Sequence, residues 1–373
     1  MFEIEILTTE SEIETLATEL AADTVIGVDL EADALHNYQE KVCLLQFTGS
    51  KRTVLVDPLA VDIAPLGKVL ADPAIRKIFH ACDYDLRSLR RDFGFSINGL
   101  FDTMISSQFC GEPKIGLNDL LGKYFGVSLD KKYQKADWSL RPLPPEMAHY
   151  AAEDTRHLHE LAELLENKLR DLGRLDWVAE ECRLMEQVGF AENGGPKFIR
   201  FKGAGTLDRR QLARLEELLC WRDEEAEGRN CPMFKIMGNK SLLELARRGP
   251  DSLQGMKGIE GLSSRQIDRF GAKLLQALKR GEEIPEEQLP LFPRPSRREK
   301  DPAAEKRFIK LKQWRIDKAS ALQLDPGVLI NNATLEEISR LNPVSIADLD
   351  AVDSLKNWQK RELGEGLVNS LKG

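Results

Sequence analysis

Two carboxylates stand two positions apart at the end of a short apolar run, Val25-Ile26-Gly27-Val28-Asp29-Leu30-Glu31. In a strand, residues two apart share a face, so Val28 and Leu30 point into a core while Asp29 and Glu31 point together to the other side. Carboxylates crowded on one face repel unless a cation lies between them. Hard divalent cations such as Mg²⁺ and Mn²⁺ favour oxygen ligands of this kind. Taken alone, the stretch also reads as a solvated strand end. Further acids follow in His80-Ala81-Cys82-Asp83-Tyr84-Asp85-Leu86-Arg87-Ser88-Leu89, where Leu86 and Leu89 repeat at helical spacing. Asp83 and Asp85 therefore lie near a helix N-terminus, where acids also serve as caps; one is expected to cap while the other faces a site. His80 reads as a strand-end residue satisfied by backbone. Tyr150 and Asp154, four apart, stack on one helical face, and Ala151 and Ala152 between them permit close approach. A phenol beside a metal-bound carboxylate can orient or deprotonate a water. The plain alternative is an aromatic anchor with an exposed acid one turn on.

The elements that must position these residues are legible in outline. Phe2–Leu7 alternate as an opening strand, and Thr9 or Ser11 caps a helix through Leu16 and Leu20. Strands are expected at Val25–Glu31, Val42–Phe47, Thr53–Val56 and Lys77–His80, and helices at Ile63–Leu70, Leu117–Phe125, a long one containing Tyr150, and Arg174–Val188. The links between the first strands are too short for helical crossovers, so those strands are antiparallel and the sheet is mixed.

At 373 residues the chain exceeds one ordinary core. Its 42% hydrophobic and 31% charged residues fit a globular protein. No apolar run approaches the roughly 18 residues that span a bilayer, and the acidic, alternating start is unlike a secretion signal. Six scattered cysteines without a Cys-x-x-Cys pair suit a reducing cytoplasm. The five histidines do not cluster with them at zinc-ligand spacing, and no Gly-x-x-x-x-Gly-Lys phosphate loop is present, which argues against an ATP-driven helicase. Residues 1–196 carry 20 Lys and Arg against 34 Asp and Glu, whereas residues 197–373 carry 33 against 27. An acidic front suits a carboxylate metal site, and a mildly basic back suits a polyanionic partner.

Asp29-x-Glu31, Asp85 after His80-Ala81, and Tyr150-x-x-x-Asp154 together resemble the ribonuclease D family of four-acid, tyrosine-bearing (DEDDy-type) 3′-5′ exonucleases. Val56-Asp57-Pro58-Leu59, Phe101-Asp102-Thr103, Leu129-Asp130-Lys131, Asp137-Trp138 and Arg141-Pro142-Leu143 support the resemblance in order and spacing. Leu30 departs from it, standing where the family usually has Thr. The resemblance implies an α/β ribonuclease-H-like domain with a mixed sheet. It also implies hydrolysis from RNA 3′ ends that releases nucleoside 5′-monophosphates. Asp29, Glu31, Asp85 and Asp154 would hold two divalent cations, Mg or Mn, roughly 3.5–4 Å apart, with Asp29 bridging. Tyr150 would position the attacking water, and His80, Lys131 and Gln134 are candidates for substrate contacts. The distance from His80-Ala81 favours Asp85 over Asp83. The expected substrates are transfer RNA precursors and other small structured RNAs, met in the cytoplasm by a monomer. A DNA exonuclease of the Werner type and a catalytically silent nucleic-acid scaffold are the alternatives.

The back half repeats. Trp221-Arg222, Asn239, Leu242 and Pro250 recur as Trp314-Arg315, Asn332, Leu335 and Pro343, each 93 positions on. Both copies resemble the small all-α helicase-and-ribonuclease-D C-terminal (HRDC) domain, the second lacking the Met256-Lys257-Gly258-Ile259 turn. The expected organisation is an exonuclease domain at 1–192, a linker at 193–206, HRDC domains at 207–280 and 303–373, and a proline-rich linker at 281–302. Trp221 and Trp314 read as core anchors. Arg209, Arg210, Lys235, Lys240, Arg247, Arg248 and Lys257 are the basic candidates for RNA phosphate contacts. Deleting 207–373 is expected to weaken RNA binding yet spare activity on short strands.

Overall fold

A strand that ends in two acids folds only if its other face is buried, and β2 is built that way. The computed structural model describes residues 4–130, 132–189, 194–293 and 301–372. These divide into two compact units, one within Met1–Ala32, Val42–Phe190 and Glu299–Gly373, the other within Asp33–Lys41 and Ala191–Arg298.

The first unit opens with β1 (Ile6–Leu7), α1 (Glu10–Ala21), β2 (Val25–Ala32), β3 (Val42–Thr48), β4 (Thr53–Val56), α2 (Ala64–Ala71), β5 (Arg76–Phe79), α3 (Asp83–Phe93) and β6 (Leu100–Asp102). It continues through α4 (Thr103–Phe109), α5 (Leu117–Phe125), α6 (Pro145–Arg156), α7 (Leu158–Asp171) and α8 (Leu175–Glu186). Among the described residues the strands form one mixed sheet in the order β1-β4-β3-β2-β5-β6. β2, β3 and β4 are antiparallel neighbours, while β5 runs parallel to β2 and β6 parallel to β5. The strands expected from Val25 on and the mixed sheet are thus present; of the opening strand expected over Phe2–Leu7, Ile6–Leu7 is a strand, and residues 2 and 3 lie outside the described residues. β6, three residues long, is too short to carry a hydrophobic period and was not expected as a strand. Val28, Leu30, Leu45 and Phe47 fill the main core on one face. Leu44 and Leu55, on the other, pack with Met147, Ala148, Ala151 and Ala152 of α6. Small residues there let α6 lie close on the sheet: a Cβ added to Gly27 would come within 3.3 Å of the Thr155 carbonyl oxygen.

The second unit holds α9 (Arg209–Glu227), α10 (Met233–Ile236), α11 (Asn239–Arg248) and α12 (Ser264–Glu283) around Trp221, which meets Phe270 edge-on at 5.5 Å. The chain then returns to the first unit as α13 (Pro302–Leu322), α14 (Pro326–Leu329), α15 (Asn332–Leu341) and α16 (Asn357–Leu371). The repeat reaches single hydrogen bonds. Arg222 donates to the carbonyl of Met237 at 3.2 Å, and Arg315 donates to that of Ile330 at 2.8 Å, both partners again 93 residues apart.

The surroundings of the second copy come as a finding. Its helices share one core with the nuclease sheet. Trp358 stacks on Trp177 of α8 with ring centroids 4.7 Å apart and planes at 14°. Its indole N–H donates to Glu181 at 2.8 Å, and Glu180 accepts its backbone N–H at 2.9 Å. Deleting 207–373 would therefore uncover Trp177, so truncation tests folding before it tests RNA binding.

Candidate active site

β2 and β5 are parallel neighbours, so the segments leaving their C-terminal ends emerge side by side. Asp29 and Glu31 lie at the end of β2 and are half-buried, and Asp85, buried, lies in the first turn of α3 just after β5. The turn into α3 is tight, with Ala81 left-handed at φ 65°. Asp102, at the end of β6, holds it: its carboxylate accepts the N–H of Cys82 at 2.8 Å and those of Met104 and Ile105 at 2.7 and 3.0 Å. That explains Phe101-Asp102-Thr103 as a positioning device for Asp85. α6 brings Tyr150 and Asp154 over the same face of the sheet.

The acids feel one another. Burial, then the charge of Asp85, pushes the Asp29 carboxyl well above the carboxylate range. Glu31 is pushed up to about 10 by burial and by Asp29, Asp154 and Asp85. Asp154 is pushed up to about 8 by burial, Asp29 and Glu153, and Asp85 up to about 7, mainly by burial and by Asp102. Among the described residues no Lys or Arg forms an ion pair with any of the four. Nor do three such side chains already form a cage for an ion. The site is thus a mutually repelling group of oxygen donors, gathered but not closed. That chemistry fits hard divalent cations, whose charge would replace the missing protein cations.

Asp83 is spoken for elsewhere, pairing with Arg87 through two contacts of 3.0 Å. The Tyr150 phenol is raised by burial and by Asp154, Glu31 and Asp29, while a hydrogen bond from Gln134 opposes the shift. With no cation bound, that direction favours the protonated phenol, which suits a group that positions a water. Its ring is held edge-on by Tyr133 and obliquely by Trp138, each at 5.9 Å. Arg141 locks the Trp138 segment by donating to both carboxylate oxygens of Asp57 (2.5 and 2.7 Å) and to the Cys43 carbonyl at 2.7 Å. So Asp57, Trp138 and Arg141 serve architecture.

His80 follows β5. Its Nδ1 is 2.9 Å from the Thr103 hydroxyl, and a backbone hydrogen bond to Ile115 engages the ring further. It pegs β5 to α4 through a side-chain hydroxyl as well as a backbone partner, where the residue reading expects backbone alone. Gln134 is exposed beside Tyr150. Lys131 lies outside the described residues. A cavity of about 580 Å³ opens next to Tyr150 and Asp154, lined also by Leu129, Tyr133, His149 and Glu153. Tyr133 and His149 were not singled out from the sequence; an aromatic beside Lys131 and Gln134 was the available signal.

Known proteins resemble the chain along its whole length. A 3′-5′ exonuclease family model matches residues 4–170, and the HRDC domain model matches 211–278 and 304–371. The ribonuclease D of Acidiphilium cryptum is 31% identical over 371 residues, covering 98% of this chain and 92% of that protein. The chain belongs to the ribonuclease D family. The crystal structure of Escherichia coli ribonuclease D, described as an exoribonuclease involved in structured RNA processing, superposes with a TM-score of 0.76 at 27% identity, covering 100% of this chain and 99% of that one. The catalytic core of RRP6 from Trypanosoma brucei gives 0.64 at 31% identity over 75% of this chain and 79% of that one. Family membership fixes the α/β exonuclease fold followed by HRDC helices, and it makes the chain a hydrolytic enzyme.

Proposed function

We propose that this 3′-5′ exoribonuclease releases nucleoside 5′-monophosphates with two divalent cations, Mg or Mn, held by Asp29, Glu31, Asp85 and Asp154. One observation carries the reading: acids from β2, α3 and α6 are raised by burial and by neighbouring acids, and among the described residues no Lys or Arg pairs with them. Bound cations would relieve charge on the attacking and leaving oxygens. The chain's own residues do the rest. Tyr150 orients the attacking water from beside Asp154. Tyr133 and His149 line the cavity that takes the last nucleotide, where aromatic faces stack on any base. Gln134 is kept as a candidate for phosphate or base contacts, as is Lys131, which lies outside the described residues.

RNA precursors with structured bodies, transfer RNA among them, are the proposed substrates; the involvement of the E. coli relative in structured RNA processing supports this. The domain limits proposed are 1–192, 207–280 and 303–373, with linkers at 193–206 and 281–302 whose residues 193 and 294–300 lie outside the described residues. We place the enzyme in the cytoplasm as a monomer; among the described residues no helix is long and apolar enough to cross a membrane. Of the basic candidates, Arg209 and Arg210 hold carbonyls beyond α12, and Lys240 pairs with Glu260. Lys235 and Lys257 are exposed and are the better phosphate contacts to test.

The test incubates end-labelled RNA and DNA with Mg²⁺, Mn²⁺ or EDTA. Stepwise shortening of RNA from its 3′ end, only with a cation and lost in Asp154→Asn, is expected. Cleavage in EDTA, or by Asp154→Asn at the parent rate, removes the metal assignment.

A further inference from the structure

β3, Val42-Cys43-Leu44-Leu45-Gln46-Phe47-Thr48, is buried along its whole length. Gln46 is its one long polar residue. It is 0% exposed, and neither its amide nitrogen nor its amide oxygen has a hydrogen-bond partner. Burying a polar group unsatisfied costs about 1–3 kcal/mol. Fold stability alone therefore favours an apolar side chain here.

The sheet register says where the amide lies. Gln46 pairs directly with Asp29 on β2 and with Leu55 on β4. Partners across an antiparallel pair share a face, with Cβ atoms about 4.5–5.5 Å apart. Gln46 thus sits on the acid-bearing face, beside Asp29 and under α6, the helix that carries Asp154. Its other neighbours on that floor offer it little. Leu44 and Leu55 are apolar, and Thr48 donates to Thr155 at 2.8 Å. Asp29 is the acceptor closest to it in register, within a group of acids that has not closed around an ion.

We infer that Gln46 is a positioning residue for Asp29, its amide N–H donating to the Asp29 carboxylate once divalent cations hold that carboxylate ionised. This rests on the two-cation reading above. A neutral donor suits the task. It fixes the rotamer of the acid and favours its charged form, as outer partners of metal ligands do. A lysine or arginine in its place would add a permanent charge competing with the cations.

The test uses the full chain with Gln46→Met, close in length and volume but unable to hydrogen-bond, and Gln46→Leu as a second variant should the first misfold. Mn²⁺ affinity is measured by calorimetric titration without RNA, and melting is followed in EDTA and in Mn²⁺. The expected result is Mn²⁺ binding weakened about 10- to 100-fold, with melting in EDTA equal to or above the parent. Parent-like Mn²⁺ affinity in the variant overturns the role of Gln46. So does a melting temperature lowered equally in EDTA and in Mn²⁺, which marks a purely structural residue. If the parent chain itself binds no Mn²⁺, the two-cation reading fails and this inference falls with it, an outcome distinct from an unaffected variant.

Discussion

Two carboxylate environments in the nuclease sheet and its helices are built on opposite plans. At the end of β2, Asp29 and Glu31 meet Asp85 and Asp154 with no cationic side chain paired to them among the described residues, and every one of these carboxyls is raised. Glu112, between α4 and α5, has only 3% of its side chain exposed yet is pulled down to about 2. Burial opposes that shift, but Lys123, Lys168 at 2.8 Å and the Tyr124 hydroxyl all donate to it and prevail. The first arrangement stores repulsion that a ligand can relieve, whereas the second is complete in itself. A buried acid with its partners supplied stabilises the fold, and one without them marks the place where something else must bind.

Substitutions can break that contrast. The largest effect is expected from Asp29→Asn, which should lower RNA turnover at least about a thousand-fold. The same change should leave melting in EDTA unchanged or raise it by a few degrees, about 1 kcal/mol of relieved repulsion. A variant that melts well below the parent in EDTA would mean that the acid group supports the fold. Tyr150→Phe comes next, with turnover down about a hundred-fold and Mn²⁺ affinity unchanged by titration; unchanged turnover would remove the phenol's role while keeping the acids'.

The third effect is on stability alone. Glu112→Gln should cost about 1–3 kcal/mol in denaturant unfolding at pH 7 and leave turnover of the folded enzyme unaltered. Its pH dependence has a fixed sign. The folded carboxyl titrates near 2 and the unfolded one near 4.5, so the contribution is whole above about pH 4.5 and is lost as pH falls toward 2. The parent should therefore lose more stability than Glu112→Gln over that window, and parallel curves would contradict the pairing. The smallest effect is expected on the first HRDC copy. Arg265 occupies the position of Trp358, 93 residues before it, and is exposed where Trp358 is buried. Arg265→Ala should shift stability by no more than about 0.5 kcal/mol, whereas Trp358→Ala should cost about 3–5.

Much of this was legible in the residues. The period of two in Val25–Glu31 put Asp29 and Glu31 on one face, and the spacing of Tyr150 and Asp154 put both on one side of a helix, as the structure has them. The constant 93-residue offset announced the duplicated helical modules. What could not be read was long-range. Nothing local to Trp358 says that it stacks on Trp177, and a basic residue such as Arg210 looks the same whether it meets solvent or the carbonyls beyond α12. Gln46 was visible as a polar residue in an apolar run, but its meaning depends on the register that sets it opposite Asp29.

The most direct measurement is a crystal soaked in Mn²⁺ with anomalous scattering recorded. Peaks enclosed by Asp29, Glu31, Asp85 and Asp154, with Tyr150 beside them, are the predicted result. The same four side chains turned apart, with no manganese among them at saturating soak, would contradict it.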